Sequence, residues 1–163
     1  MERGTSFAVA SAFLLTVVAV SAAEAAAPKI VGVAFVDSSV TGRGSRGQLP
    51  PGATIYPTGT RITGTTGCST NRYGTDGLIV AVIDYDGRPT AASLAVTRHP
   101  AEGGEFQNAP YYLDLNAGRT LQFLGPFNDN GKYDLELISS FTGPMQDKTN
   151  ASFTLARNCP TPQ

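Results

Sequence analysis

Beyond residue 28 apolar and polar positions alternate with a period of two, in short runs, and helical periodicity is almost absent. Side chains of a strand point to opposite faces in turn, so such runs predict strands with one face turned inward. "KIVGVAFVD" (Lys29–Asp37) is expected to carry Val31, Val33 and Phe35 on one face, and Thr60–Cys68 reads as an edge strand. "LIVAVIDYD" (Leu78–Asp86) is apolar on both faces, Ile79/Ala81/Ile83 and Leu78/Val80/Val82. That predicts a central strand, or one covered on its outer side as well. Ala92–Arg98 is a shorter run. Tyr111–Leu115 and Arg119–Gly125 flank "NAG" and read as a tight hairpin. Lys132–Ser140 sends Tyr133, Leu135 and Leu137 one way and Asp134 and Glu136 the other; Asn150–Arg157 repeats this with Ala151, Phe153 and Leu155.

Gly- and Pro-rich stretches separate these runs. Ser38–Gly52 and His99–Pro110 read as long loops and "STNRYGTDG" as a turn-rich link. Seven or eight short strands without crossover helices predict an all-β fold, an antiparallel β-sandwich, with a small closed barrel as the alternative.

The stretch "NDNGKYDLEL" (Asn128–Leu137) runs turn-forming residues straight into a tyrosine and a strict alternation. Asp129, Gly131 and Tyr133 resemble the Asp-x-Gly-x-Tyr tyrosine corner of immunoglobulin-like domains. The resemblance implies a sandwich of the broad immunoglobulin-like or fibronectin-like class. It also implies that the Tyr133 ring enters the core and its hydroxyl returns to a backbone group a few residues upstream. Gly131 suits the positive φ of a tight turn, and Asp129 and Asn130 suit local backbone groups. Two departures stand out: Leu135 occupies the position where antibody-type domains carry a cysteine, and the chain has no Trp. Folds of this class host many functions, so the resemblance implies no activity.

The N-terminal stretch changes the picture of compartment. "MERG", the uncharged apolar run Phe7–Val20 and the small residues of "SAAEAAA" are the three parts of a secretory signal, residues 1–25, with the cut between 23 and 27. The run is short for a membrane span; a retained anchor helix is the alternative. What remains, 28–163, is about 140 residues, enough for a single domain with a real core. Removing Arg3, Glu2 and Glu24 takes twelve basic and thirteen acidic residues to eleven and eleven. A near-neutral protein without a dense basic cluster has no charge excess to draw nucleic acid or an anionic membrane; Arg43 and Arg46 sit in a Gly/Ser loop. An exported chain meets an oxidising compartment, so Cys68 and Cys159 read as a disulfide, with free thiols or an intermolecular bond as the alternative.

Candidate chemistry is sparse. No nucleophile elbow, zinc-protease, P-loop or dinucleotide motif is present. The one His, His99, stands beside Pro100, and "HPAEGGE" spaces His99, Glu102 and Glu105 three residues apart. Pro and two glycines argue against the helix that would align them, which leaves a weak metal candidate and an expectation of no metal and no cofactor. "DYDG" (Asp84–Gly87) and "NDNG" (Asn128–Gly131) look like calcium-loop fragments but read as turns. Tyr111 and Tyr112 should face opposite ways, and the exposed one could form a platform for a sugar or peptide with Phe106, Pro110 and Tyr85; the site residues of that surface are Tyr112, Phe106 and Tyr85. "NAS" at Asn150 is a glycosylation triplet. These features predict an exported, non-enzymatic binding or structural module for a protein or carbohydrate partner in the envelope or outside the cell. The alternative is a secreted or periplasmic enzyme using His99 with acidic neighbours.

Overall fold

The computed structural model describes residues 27–38, 48–71, 73, 75–85, 90–115, 118–127, 129–140 and 146–160. The expected signal segment, Arg43 and Arg46 lie outside the described residues. Ten strands are described: β1 (Lys29–Val36), β2 (Ile55–Pro57), β3 (Arg61–Gly64), β4 (Leu78–Tyr85), β5 (Thr90–Pro100), β6 (Phe106–Gln107), β7 (Tyr111–Leu115), β8 (Gly118–Gly125), β9 (Gly131–Ser140) and β10 (Gln146–Arg157). They form two open sheets, β2-β1-β4-β8 and β3-β10-β9-β5-β6, with β7 also paired to β5. The architecture is a β-sandwich and not a closed barrel. Pairing is antiparallel except where edge strand β3 runs parallel to β10. The count exceeds the expected seven or eight because β2 and β6 are too short to carry a readable period, whereas β3 falls within the expected edge strand Thr60–Cys68.

Two local readings are corrected. The "NAG" turn does not join a hairpin: β7 pairs with β5 in one sheet and β8 with β4 in the other. A turn dipeptide reports a reversal of direction, and a reversal across the gap between stacked sheets uses the same residues as one within a sheet. In β1, Val31 does not share a face with Val33 and Phe35. Ile30 pairs with Ile83 and Gly32 with Val82, so Val31 is the extra residue of a bulge. Ile30 and Val33 therefore both enter the main core, while Val31 packs with Ala34 and Val36 on the outer side.

The core lies between the sheets. Ile79, Ala81, Ile83 and Tyr85 of β4 meet Leu94 and Val96 of β5, Tyr133, Leu135 and Leu137 of β9, and Phe153 and Leu155 of β10. Each fully buried aliphatic side chain contributes roughly 1.5–3 kcal/mol. At one end Phe127, Tyr133 and Phe153 stack, with centroids 5.0 and 4.9 Å apart. Arg157 is buried beside them. Its guanidinium lies over the Phe35 ring and donates to the carbonyls of Gly67 (2.9 Å) and Phe127. Burial holds its pKa below the ordinary guanidinium value.

The disulfide sits at this end. Cys68 and Cys159 are bonded, with Cα atoms 5.3 Å apart and a sequence separation of 91. Closing so long a loop is worth on the order of 4 kcal/mol in the chain-entropy model. No helix among the described residues is long and apolar enough to cross a membrane.

Candidate functional site

Tyr133 is structural in its geometry. Tyr133 is 1% exposed and its hydroxyl donates to the Asp129 carbonyl at 2.6 Å. Burial, then the nearby Asp129 carboxylate, pushes its pKa up to about 12. Gly131 has φ 149°, and a Cβ there would lie 2.2 Å from the His99 carbonyl oxygen, so both conformation and close strand approach demand glycine. Asn130 does not serve the local backbone. Its side chain accepts from Arg157 N–H (2.7 Å) and donates to Arg157 C=O (2.8 Å), clamping the end of β10.

The aromatic platform does not assemble. Tyr85 is 3% exposed and belongs to the main core, because its odd position on β4 faces inward with Ile83. Phe106 pairs with Arg98, on the inward-facing register of β5, and its ring lies 5.6 Å from the Arg98 guanidinium. Tyr112 pairs with Ser93 on the outer register. The three side chains thus occupy the core, the end of the sandwich and the outer face. Tyr111 enters the sandwich, its hydroxyl donating to the Leu124 carbonyl at 2.9 Å, while Tyr112 is 87% exposed.

What the fold does bring together is a polar face. Strict alternation turns Ser93, Ala95, Thr97 and His99 of β5 outward, beside Lys132, Asp134 and Glu136 of β9 and Lys148, Asn150 and Ser152 of β10. One row across the sheet reads Gln107, Thr97, Asp134, Ser152; the next reads Ala95, Glu136, Asn150. The small side chain of Ala95 leaves room on this face for two adjoining depressions of about 330 and 360 Å³, which share Asp134, Asn150 and Ala151, the last turning its side chain inward to the core. Thr97, Gln107 and Glu136 line the first; Thr58 and Ser152 line the second.

The charges of this face are paired internally. Asp134 lies 3.0 Å from His99 Nε2 and 2.8 Å from Lys132 Nζ, and Glu136 lies 3.5 Å from Lys148 Nζ. His99 Nδ1 faces Glu105 at 3.8 Å. Glu105 and Asp134 therefore meet His99, whereas Glu102 is in neither contact. Among the described residues no group of three or more His, Cys, Asp or Glu side chains is arranged to hold a metal ion. His99 Nε2 is within hydrogen-bond distance of Asp134, whereas its Nδ1 lies beyond that distance from Glu105.

The other polar cluster is a loop held by its own bonds. Asn71 Oδ1 accepts from the N–H of Tyr73 (3.0 Å) and Thr75 (3.3 Å). Asp76 takes the hydroxyls of Ser69 and Thr70 and the Thr70 N–H, and these donors hold its carboxyl well below the usual carboxylate range. Asp84 is held bidentate by Arg119, at 2.7 and 2.9 Å. Asp86, Gly87 and Asn128 of the calcium-like fragments lie outside the described residues.

Asp134, Glu136 and Asn150 carry the face, and the spacing near His99 does not point to them. Alternation in β9 turns both carboxylates outward. That His99 meets Asp134 follows from the β5–β9 register, which no local pattern encodes. No protein-family model matches the chain, and neither a curated protein nor a solved structure matches it.

Proposed function

We propose that this chain is a non-enzymatic binding module that works outside the cytoplasm and takes its ligand on the outer face of the six-stranded sheet. The observation that carries the reading is the groove around Asp134 and Asn150, with Tyr112 exposed on the same face. Its residues stand on three paired strands, a rigid platform that loses little entropy on binding. The Cys68–Cys159 bond supports an oxidising compartment, as does the signal-like N-terminal segment. The immunoglobulin-like assignment belongs to the same proposal, supported by the Tyr133–Asp129 hydrogen bond in a two-sheet sandwich.

The enzyme reading has one observation in its favour, the His99–Asp134 pair at 3.0 Å. Amide-shift mapping separates the two. Titrating the labelled protein with peptides, nucleotides and oligosaccharides should move amides of β5, β9 and β10, and binding should persist in His99→Gln. Shifts confined to the 69–76 loop overturn the binding face. A turnover activity abolished in a folded His99→Gln protein puts the enzyme first.

A further inference from the structure

We infer that the ligand of this face is a neutral oligosaccharide, an inference that rests on the binding-face reading above. The first ground is charge. Asp134 is paired with Lys132 and faces His99, and Glu136 is paired with Lys148, so among the described residues the groove offers neither free cation nor free anion to a charged ligand. An anionic polymer would have to break these pairs and then meet two carboxylates. The second ground is the hydrogen-bonding complement. Beside the paired charges stand the amides of Gln107 and Asn150 and the hydroxyls of Thr97 and Ser152. These groups both donate and accept, as a ligand dense in hydroxyls does. The groove is floored by Ala95 and polar side chains, and among the described residues Tyr112 is the large exposed apolar side chain on this face, too little to hold a lipid or a helix.

The third ground excludes the extended peptide. Strand addition needs a free backbone edge. The groove lies on the face of β5, β9 and β10; β9 is paired on both sides, and β10 meets β3 only over Thr154–Arg157, so a strand added along the rest of its edge would lie beside the groove and not on it.

Tyr112 completes the fit. It stands opposite Ser93, four residues along β5 from Thr97 and two strands across from Asp134, so the ring and Asp134 are about 16 Å apart on one face. That separation suits a chain of a few sugar units. One end would stack a ring face on Tyr112 while the other hydrogen-bonds around Asn150 and Asp134.

The test uses the folded chain with named probes: maltohexaose, cellohexaose and N-acetylchitohexaose as neutral glycans, a heparin hexasaccharide as an anionic one, and a neutral extended decapeptide. At least one neutral hexaose should shift amides along β5, β9 and β10 and bind measurably by calorimetry. Tyr112→Ala and Asn150→Ala should each weaken that binding about tenfold, with thermal midpoints unchanged. Tyr112→Phe should retain it, because stacking needs the ring and not the hydroxyl. If the decapeptide or the heparin fragment moves these amides and no neutral glycan does, the ligand class is wrong and the binding face stands. If none of the probes moves them, both fall.

Discussion

The two sheets of the sandwich are built alike on their inner sides and differently on their outer ones. The four-stranded sheet is apolar on both: Ala34, Val36, Val80 and Val82 are buried on its outer side, with Val31, Leu49, Ile55, Leu121 and Phe123 packed against them. The six-stranded sheet carries hydroxyls, amides and paired charges on the equivalent surface. Antiparallel sheets commonly keep one face wetted, so the second sheet follows the ordinary pattern and the first does not. The lesson is a division of labour. One outer face is committed to packing, and the other presents hydroxyls, amides and paired charges at the surface.

A pair of substitutions breaks or sharpens that contrast. Val82→Asp puts a carboxylate at a position with 0% exposure on the outer side of the four-stranded sheet. An unpaired charge there should cost about 5 kcal/mol, enough to remove most of the stability of a domain this size. Ser93→Asp, on the outer side of the other sheet, should stay within about 0.5 kcal/mol. Denaturant midpoints measure both. Equal small losses would mean that the outer side of the four-stranded sheet is not core.

Tyr133 tests the inner side shared by both sheets. Its ring stacks between Phe127 and Phe153, so Tyr133→Ala should lose about 3–5 kcal/mol as a core truncation. Tyr133→Phe keeps the stack and loses the bond to the Asp129 carbonyl, about 1 kcal/mol. A Phe variant as damaged as the Ala variant would assign the stability to the hydroxyl and not to the stack.

The division was half legible in the chain. The unbroken apolar run of β4 announced a strand covered on both sides, and the alternation of β9 announced which of its residues face water. Fold class and the cysteine pair were readable because a two-residue period and an even cysteine count are local or compositional signals. The bulge at Val31 was not, because one extra residue in β1 shifts the inward set without altering its composition. Nor was the sheet-to-sheet passage between β7 and β8, which uses ordinary turn residues. The site was the least legible part. His99 and Asp134 are 35 positions apart and meet only through strand register, and Tyr85, an aromatic beside a turn, is core because of which side of β4 it occupies.

The smallest effect lies where the packed outer face turns polar. Asp84 follows Val82 on that side of β4, and Arg119 stands opposite it on β8. The hydrogen bonds from Arg119, opposed by partial burial and helped by its charge and that of Lys29, hold the Asp84 carboxyl below its ordinary value. A depressed folded-state pKa means that the stabilisation is fully present above the unfolded value of about 3.9 and disappears as pH falls through the lower folded value. Both side chains are about 40% exposed, so solvent screening limits the pair to about 0.2–1 kcal/mol. Asp84→Asn should therefore be less stable than the parent by that amount at pH 7. The gap should narrow as pH falls below the unfolded value and close beneath the lower folded one, and it should shrink in high salt at pH 7. Asp76 is also depressed, but it is present in both proteins and cancels in the difference. Thermal midpoints of the two proteins across that pH range make the measurement. A gap that survives unchanged across the whole acid range in which both proteins stay folded would show that Asp84 acts through packing, extending the covered face of the four-stranded sheet past Val82 to the end of β4.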